Sequence, residues 1–404
     1  MNTVPATDPP LAGVTVIEHA SGVAAMHAGR ILALQGATVI KVEPPGGESL
    51  RAATPQLSAE AGASVLFHYL NVGKDSVTLD LAQAPGMQLF EQLLRRADIL
   101  IDDTPPGQRA AAGLDPDAVG ARHPRLLYCG VAPFGAHGPR RDWLAHELNV
   151  FHSGGEGYLL PNGLALDLFP ERPPVKIYGP FAELVGGIAA ADAVLAALLV
   201  QEETGGQFID VASQDANVSI SCFNVQRVGD GSIETRHNRS FRYGGVLECA
   251  DGYVQILTLE PVQWAGLVKL MGEPDWTRDP EMQDEIARGR RGDEINGHLR
   301  AWARTRQVDE LVQGGQALRV PIARYKEPAE ILAAEQSQAR AMFTPVEFPG
   351  RGALPVLTAP FQFTLPASPR ACPARAGADN ARIFGDWLGH APAALADWHA
   401  TGVI

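Results

Sequence analysis

Short apolar runs that alternate with helix-spaced stretches constrain this chain more than any of its other features. Val14–Glu18 is too short for a buried helix and rich in β-branched residues, so it reads as a buried strand. Ala24–Leu34 follows with helical spacing, and Ala37–Glu43 returns as a second strand. Val77–Leu81, Ile99–Ile101 and Leu126–Val131 are further strands, with the helix-spaced Met87–Arg96 between two of them. Apolar strands separated by helices argue for βαβ units, and so for an α/β chain built on a twisted, largely parallel sheet. The clusters Pro44–Gly47, Pro105–Gly107 and Gly138–Pro139 fall at strand exits, the edge at which open α/β sheets bind ligands.

Farther along, Leu184–Leu199 is dense in Ala and Gly and contains Asp192, which suits a tightly packed core helix better than a membrane span. Gln207–Ser213 returns as a strand. Val225–Tyr243 is polar and arginine-rich, and suits a linker. Beyond it, two strand-like runs flank Ala250-Asp251-Gly252, which is hairpin chemistry, and helical stretches continue to about Ala333. A chain of 404 residues is too long for one ordinary compact domain. The expected division is a large first part over 1–225, a linker over 226–244, a small domain over 245–335, and a Pro-rich segment over 336–404 returning to the large domain.

The formal net charge is −13, which repels phosphate backbones and anionic lipid surfaces, so neither nucleic acid nor a membrane is an expected partner. The four cysteines are far apart and form no CxxC, and the first residues lack a basic-then-apolar leader; a reduced, cytoplasmic chain is expected. Common site motifs are absent. Gly22 and Gly29 are too far apart for a dinucleotide fingerprint, and Gly73-Lys74 runs into Asp75 rather than a P-loop hydroxyl. Val150 stands where a zinc-protease helix beginning at His146-Glu147 would need its second histidine, and no metal is expected. No GxSxG marks a hydrolase serine.

Several stretches, taken together and in order, resemble the family III CoA-transferases, the CaiB/BaiF group. They are LAGVTVIE, GATVIKVEPPGGESLR, NVGKDSVTLDL, ADILIDDTPPG, FGAHGPRRD, FAELVGGIAAADAVLAALL, TGGQFIDVASQDA and CADGYVQILT. The resemblance implies a Rossmann-like large domain, a smaller second α/β domain and an interlocked homodimer. It also implies coenzyme A and acyl-CoA as substrates together with a small-molecule carboxylate.

In that family an Asp at the start of the helix matching FAELVGG attacks the acyl-CoA carbonyl; here the position is Glu183. Read without the family, Glu183 is an anion placed at a helix N-terminus. AHELNV resembles a run in the racemase branch, the 2-methylacyl-CoA racemases, which implies His146 as a base opposite Glu183, since imidazole titrates near neutral pH; taken without the family, His146 reads as a buried, hydrogen-bonded residue. Glu260 reads as a solvated helix start. The resemblance assigns the CoA side of the site to Gly22, Val23, Lys41, Arg51, Lys74, Asp103, Arg109 and Glu147. Asp75, Asp103 and Ala111 depart from the family there: each removes a donor or adds an anion where CoA phosphates are expected, with Lys41, Arg51, Lys74 and Arg109 as compensating cations. Three readings follow, in this order: a CoA-transferase using Glu183, an acyl-CoA α-epimerase using His146 and Glu183, and a non-catalytic subunit in a hetero-oligomer with an active paralogue.

Overall fold

The six apolar runs of the first lobe lie side by side in one parallel sheet. In chain order the elements are β1 (Thr15–His19), α1 (Val23–Ala33), β2 (Thr38–Glu43), α2 (Val65–Asn71), β3 (Asp75–Thr78), α3 (Ala84–Leu94), β4 (Ile99–Asp102), α4 (Pro116–Arg122), β5 (Leu127–Ala132), α5 (Glu147–Ser153), α6 (Leu164–Leu168), α7 (Phe181–Thr204), β6 (Phe208–Ala212) and α8 (Ser213–Ile220). The strand order is β3-β2-β1-β4-β5-β6, that of doubly wound nucleotide-binding folds. The structure, a computed structural model, describes residues 8–57, 64–221, 225, 228–231, 243–348, 352–366 and 369–404.

Successive residues of each strand point to opposite faces, and both faces are apolar because both are covered. Val16, Val39, Ile99 and Ile101 pack with α1 and α7 on one face. Ile17, Ile40, Leu100 and Tyr128 pack with α3 and the C-terminal residues Phe384 and Val403 on the other. The small residues of α7 let it approach α1 closely: a Cβ on Gly187 would stand 2.5 Å from the Ala24 carbonyl oxygen and 2.7 Å from His27 Cβ. α7 is long and apolar enough to cross a membrane, and here it packs on α1, β5, β6 and α8 while leaving Ile188 and Leu199 exposed.

One polar knot sits inside this packing. Glu18, fully buried on β1, accepts from Lys74 Nζ at 2.6 Å and lies 3.5 Å from Lys41 Nζ. The two ammonium groups complete their bonding on backbone carbonyls, Lys41 on Ala20 and Lys74 on Met26, with Asn71 Oδ1 also 3.0 Å from Lys74.

β3 is the sheet's edge, and it begins at Asp75, two residues ahead of the apolar run. The C-terminal segment covers that edge, with Asp379 and Asn380 side chains accepting from the Ser76 and Thr78 backbone N–H groups. Asp75 is itself buried and paired with Arg370 and Arg382. One feature of the tail runs against its Pro-rich sequence. Phe343–Phe348 and Gly352–Leu357 form an antiparallel pair, β10 and β11, in which Pro345 and Pro355 stand opposite each other. A two-stranded ribbon has two free edges, so each proline lies where no ladder hydrogen bond is required of it.

The chain divides into two compact units, one of residues 1–155, 177–221 and 335–404, the other of 156–176 and 222–334. The first boundary corrects the expected single block over 1–225. Residues 156–176 contribute no strand to the large sheet; α6 packs on β7 (Gly245–Cys249) and Asp167 pairs with Arg300, both within the second unit. In that unit β7 and β8 (Gly252–Ile256) form the hairpin around Ala250-Asp251, and β9 (Ile322–Arg324) joins β8 inside the stretch read as helical. Helices Pro261–Leu270, Gly292–Ala303 and Val308–Ala317 supply Leu267, Ile295 and Leu311 to its core. Glu260 is an exposed N-cap of the first of them, as expected. Most of the expected linker over 226–244 lies outside the described residues.

Two outcomes follow. Gly187→Val destabilises the protein by about 3 kcal/mol or more in urea unfolding, because a backbone carbonyl rather than a flexible side chain blocks the new Cβ. Glu18→Ala strands two buried ammonium groups and costs roughly 3–5 kcal/mol by the same measurement.

Candidate functional site

In a sheet of this order, β1 and β4 are neighbours whose chains leave in opposite directions, and a crevice opens beyond their carboxyl ends. The residues that follow β1 and β4 line it. On the α1–α7 side the crevice is a cleft of about 280 Å³, with Gly22, Val23, Asp103, Trp143, His146 and Glu183 among its walls. On the opposite side it is a cleft of about 500 Å³ walled by His19, Glu43, Glu48, Asp80, Asp103 and Gln108 among others. Ser21, Asp103 and Pro105 belong to both walls, so the two clefts meet at the tip of β4.

The alternation of β4 continues past its last residue and places the carboxylates of Asp102 and the following Asp103 on opposite sides. Asp103 turns to the start of α1, where its oxygens accept from Ser21 N–H at 3.0–3.1 Å and from Gly22 N–H. This needs glycine at 22: a Cβ there would stand 2.8 Å from Asp103 Oδ2. Burial pushes the Asp103 carboxyl up to about 6 and the neighbouring Asp102 charge adds to this, against the Gly22 and Ser21 N–H groups, which favour the anion.

Asp102 is fully buried on the other side and gathers four partners. His19 Nδ1 is 2.9 Å from Oδ1, Thr104 Oγ1 donates to Oδ1 at 2.7 Å, the Tyr128 hydroxyl donates to Oδ2 at 2.9 Å, and Arg109 Nε lies 3.4 Å from Oδ2. Burial alone would raise the Asp102 carboxyl, but the His19 contact, the Thr104 hydroxyl and the Arg109 charge outweigh it and hold it below the usual carboxylate range. Burial, followed by the Asp102 charge, pushes the Tyr128 hydroxyl up, so it remains a protonated donor.

Glu183 is in the first turn of α7, where helix-end N–H groups favour an anion. Its own backbone N–H donates to Glu147 Oε2 at 3.1 Å, which ties the first turn of α5 to that of α7. His146 is the N-cap of α5, its N–H donating to Asn149 Oδ1 at 3.1 Å. Asn217 of α8 fixes the other flank of α7 by donating to the Ala182 carbonyl at 3.0 Å. Glu183 and His146, expected as a catalytic pair from the resemblance, both line the smaller cleft.

Gly22, Val23 and Asp103 line the same cleft. The four expected cations do not. Lys41 and Lys74 are spent on Glu18 inside the sheet–helix layer. Arg51 is buried against Glu43, with Nε and Nη2 2.6 and 2.7 Å from its oxygens, and Arg109 is buried beside Asp102. None of the four lines either cleft. The physical reason is common to all: each is within reach of a buried carboxylate whose desolvation would otherwise go uncompensated. Glu147 likewise turns to the α7 backbone, and Asp75 belongs to the covered edge of the sheet. His19, Asp102 and Trp143 were not singled out from sequence. His19 could have been, as a titratable residue at the carboxyl end of a strand that opens a βα unit.

Asp103 yields a pH prediction. Its folded value lies above the ordinary one for Asp, so the folded state holds its proton more tightly, and the stability it contributes falls as pH rises through about 4 to 6. Asp103→Asn therefore gains stability relative to wild type as pH rises across that window and keeps the gain above it. Urea midpoints at pH 4, 5, 6 and 7 measure the gap; a gap that does not widen with pH counts against the shift.

The model of the family described as CoA-transferase family III matches residues 11–380. A probable CoA-transferase of Mycobacterium tuberculosis is 33% identical over 79% of this chain, and the match covers 40% of that longer protein. A formyl-CoA:oxalate CoA-transferase of Streptomyces avermitilis is 27% identical over 98% of this chain and 99% of its own length. A solved CaiB/BaiF family protein from Brucella suis superposes with a TM-score of 0.81 at 26% identity, covering 94% of this chain and 99% of that one. The chain belongs to CoA-transferase family III.

Proposed function

We propose that the protein moves coenzyme A from an acyl-CoA to a carboxylic acid, with Glu183 as the covalent carrier. The observation behind this is the position of Glu183 in the first turn of α7, on the wall of the cleft beyond β1 and β4. Its carboxylate oxygen attacks the thioester carbonyl and expels CoA thiolate, leaving a mixed anhydride. The thiolate then attacks the glutamyl carbonyl of that anhydride, releasing the donor acid and forming a glutamyl-CoA thioester. The acceptor carboxylate attacks this thioester, thiolate leaves again, and its attack on the new acyl carbonyl gives the product acyl-CoA and restores Glu183. Glu is longer than the family's Asp by one methylene, and the anchoring of α7 by Glu147 and Asn217 is what would fix its reach.

A second reading has an observation of its own. His146 and Glu183 share a cleft, so a substrate α-carbon between them could lose a proton to one and regain it from the other. The two readings differ in whether CoA changes carriers. An interlocked homodimer belongs to the same proposal: Leu144 at 94%, Tyr178 at 99% and Leu199 at 88% exposure are apolar groups that a second copy would cover.

Incubation with an acyl-CoA and free acids, followed by hydroxylamine or borohydride trapping and mass spectrometry, is expected to mark Glu183. CoA exchange is expected to fall to background in Glu183→Gln. Exchange that survives this substitution removes the assignment. Solvent deuterium entering the α-position without CoA exchange selects the second reading.

A further inference from the structure

The larger cleft, on the His19 side, presents a problem for any phosphate-bearing ligand. Among the described residues its walls include the acidic residues Glu43, Glu48, Asp80 and Asp103, and no lysine or arginine. Glu43 is neutralised by Arg51. Glu48 accepts from Ser49 N–H at 3.0 Å, and Asp80 from Ala82 N–H and Gln83 Nε2, each at 3.0 Å; these bonds hold the carboxylates in place without cancelling their charge. An unscreened anion among them is repelled.

Among the described residues, His19 is the one side chain on this wall that can become a cation. It ends β1, leaves about 29% of its side chain exposed, and packs edge-on against Phe90. Its Nδ1 is engaged by Asp102, which the Thr104, Tyr128 and Arg109 contacts keep in place. That engagement fixes the ring and leaves Nε2 as the nitrogen available to a ligand. The charged and titratable groups around the ring are Asp102 and Asp103 at the end of β4, Arg109 behind Asp102, Tyr128 on β5, and Glu43, Glu48 and Asp80 from the ends of β2 and β3. An imidazole placed between a fixed buried anion and an open cleft is a proton-dependent anion holder.

Resting on the acyl-CoA reading above, we propose that His19, oriented by Asp102, holds a phosphate group of coenzyme A by donating from Nε2, so that CoA is bound through a protonated imidazole and not through the buried Lys41, Arg51, Lys74 or Arg109. The nucleotide end of the ligand then lies in the larger cleft, and its thioester end passes Ser21 and Asp103 to reach Glu183 in the smaller one.

The test is isothermal titration of CoA, and of pantetheine, which lacks every phosphate, into wild type, His19→Gln and His19→Lys at pH 5.5 and 8.5, with thermal melts to establish folding. In wild type, CoA is expected to bind at least tenfold more weakly at pH 8.5, the scale of one charge-assisted hydrogen bond. Asp103 contributes a slope of the same sign, so the readout is the difference between proteins. His19→Gln weakens CoA at pH 5.5 by a similar factor and flattens the slope, His19→Lys restores binding at pH 8.5, and pantetheine responds to neither substitution. CoA affinity and slope unchanged in both variants, or pantetheine affected as strongly as CoA, overturns the proposal while leaving CoA transfer standing. If wild type binds no CoA or acetyl-CoA at either pH, the acyl-CoA reading fails and this proposal with it. Should one variant not fold, the other decides by the same comparison.

Discussion

Adjacent carboxylates at the tip of a central strand must face opposite sides of the sheet, and this constraint organises everything around the crevice. Asp103 goes to the α1 side and occupies the start of that helix; Asp102 goes to the α3 side and is walled in by His19, Thr104, Tyr128 and Arg109. The pairing of β1 with β4, which sets His19 opposite Asp102, is itself the point at which the order of strands reverses. The same register that makes the fold doubly wound therefore also builds the polar floor of the two clefts.

The second organising fact is where the positive charge went. Lys41, Lys74, Arg51 and Arg109 look from sequence like a phosphate-binding set, yet each serves a buried acid: Glu18, Glu43 or Asp102. Buried ion pairs of this kind add little net stability compared with apolar packing, but removing one member is costly. They behave as structural commitments that fix β1, β2 and β3 relative to α1. Among the described residues, the larger cleft is left with a surplus of acidic residues and one imidazole, in keeping with the chain's overall negative charge.

The strands and helices of the large unit were legible because each apolar run is local and its period is set by neighbouring residues. Val14–Glu18 and Ala37–Glu43 became β1 and β2 with ends shifted by a residue. What is not local was not legible. His19 and Asp102 are 83 residues apart, and no pattern in either segment says that β1 will lie beside β4. The β10–β11 pair was hidden by Pro345 and Pro355, which argue against a strand everywhere except at a free edge. Glu183 and His146 could be nominated only through resemblance, since a lone acid at a helix start and a lone histidine each have ordinary structural roles. That both line the same cleft is a consequence of the fold.

The separation of the two clefts bears on how a long ligand could be read. A thioester reacting at Glu183 and a nucleotide held near His19 would be recognised by chemically different surfaces, one with exposed Trp143 and Leu144 beside a helix end, the other walled by acids. Binding energy gathered in the larger cleft can be applied to orienting the carbonyl in the smaller one only if the passage between them is rigid. Asp103 supplies that rigidity, because its carboxylate ties the β4 tip to the first N–H groups of α1. An asparagine offers a single acceptor oxygen to those same N–H groups, which weakens the tie without adding charge. If the thioester end passes this point, the Asp103 anion serves as the strap between the β4 tip and α1 while adding negative charge beside the path.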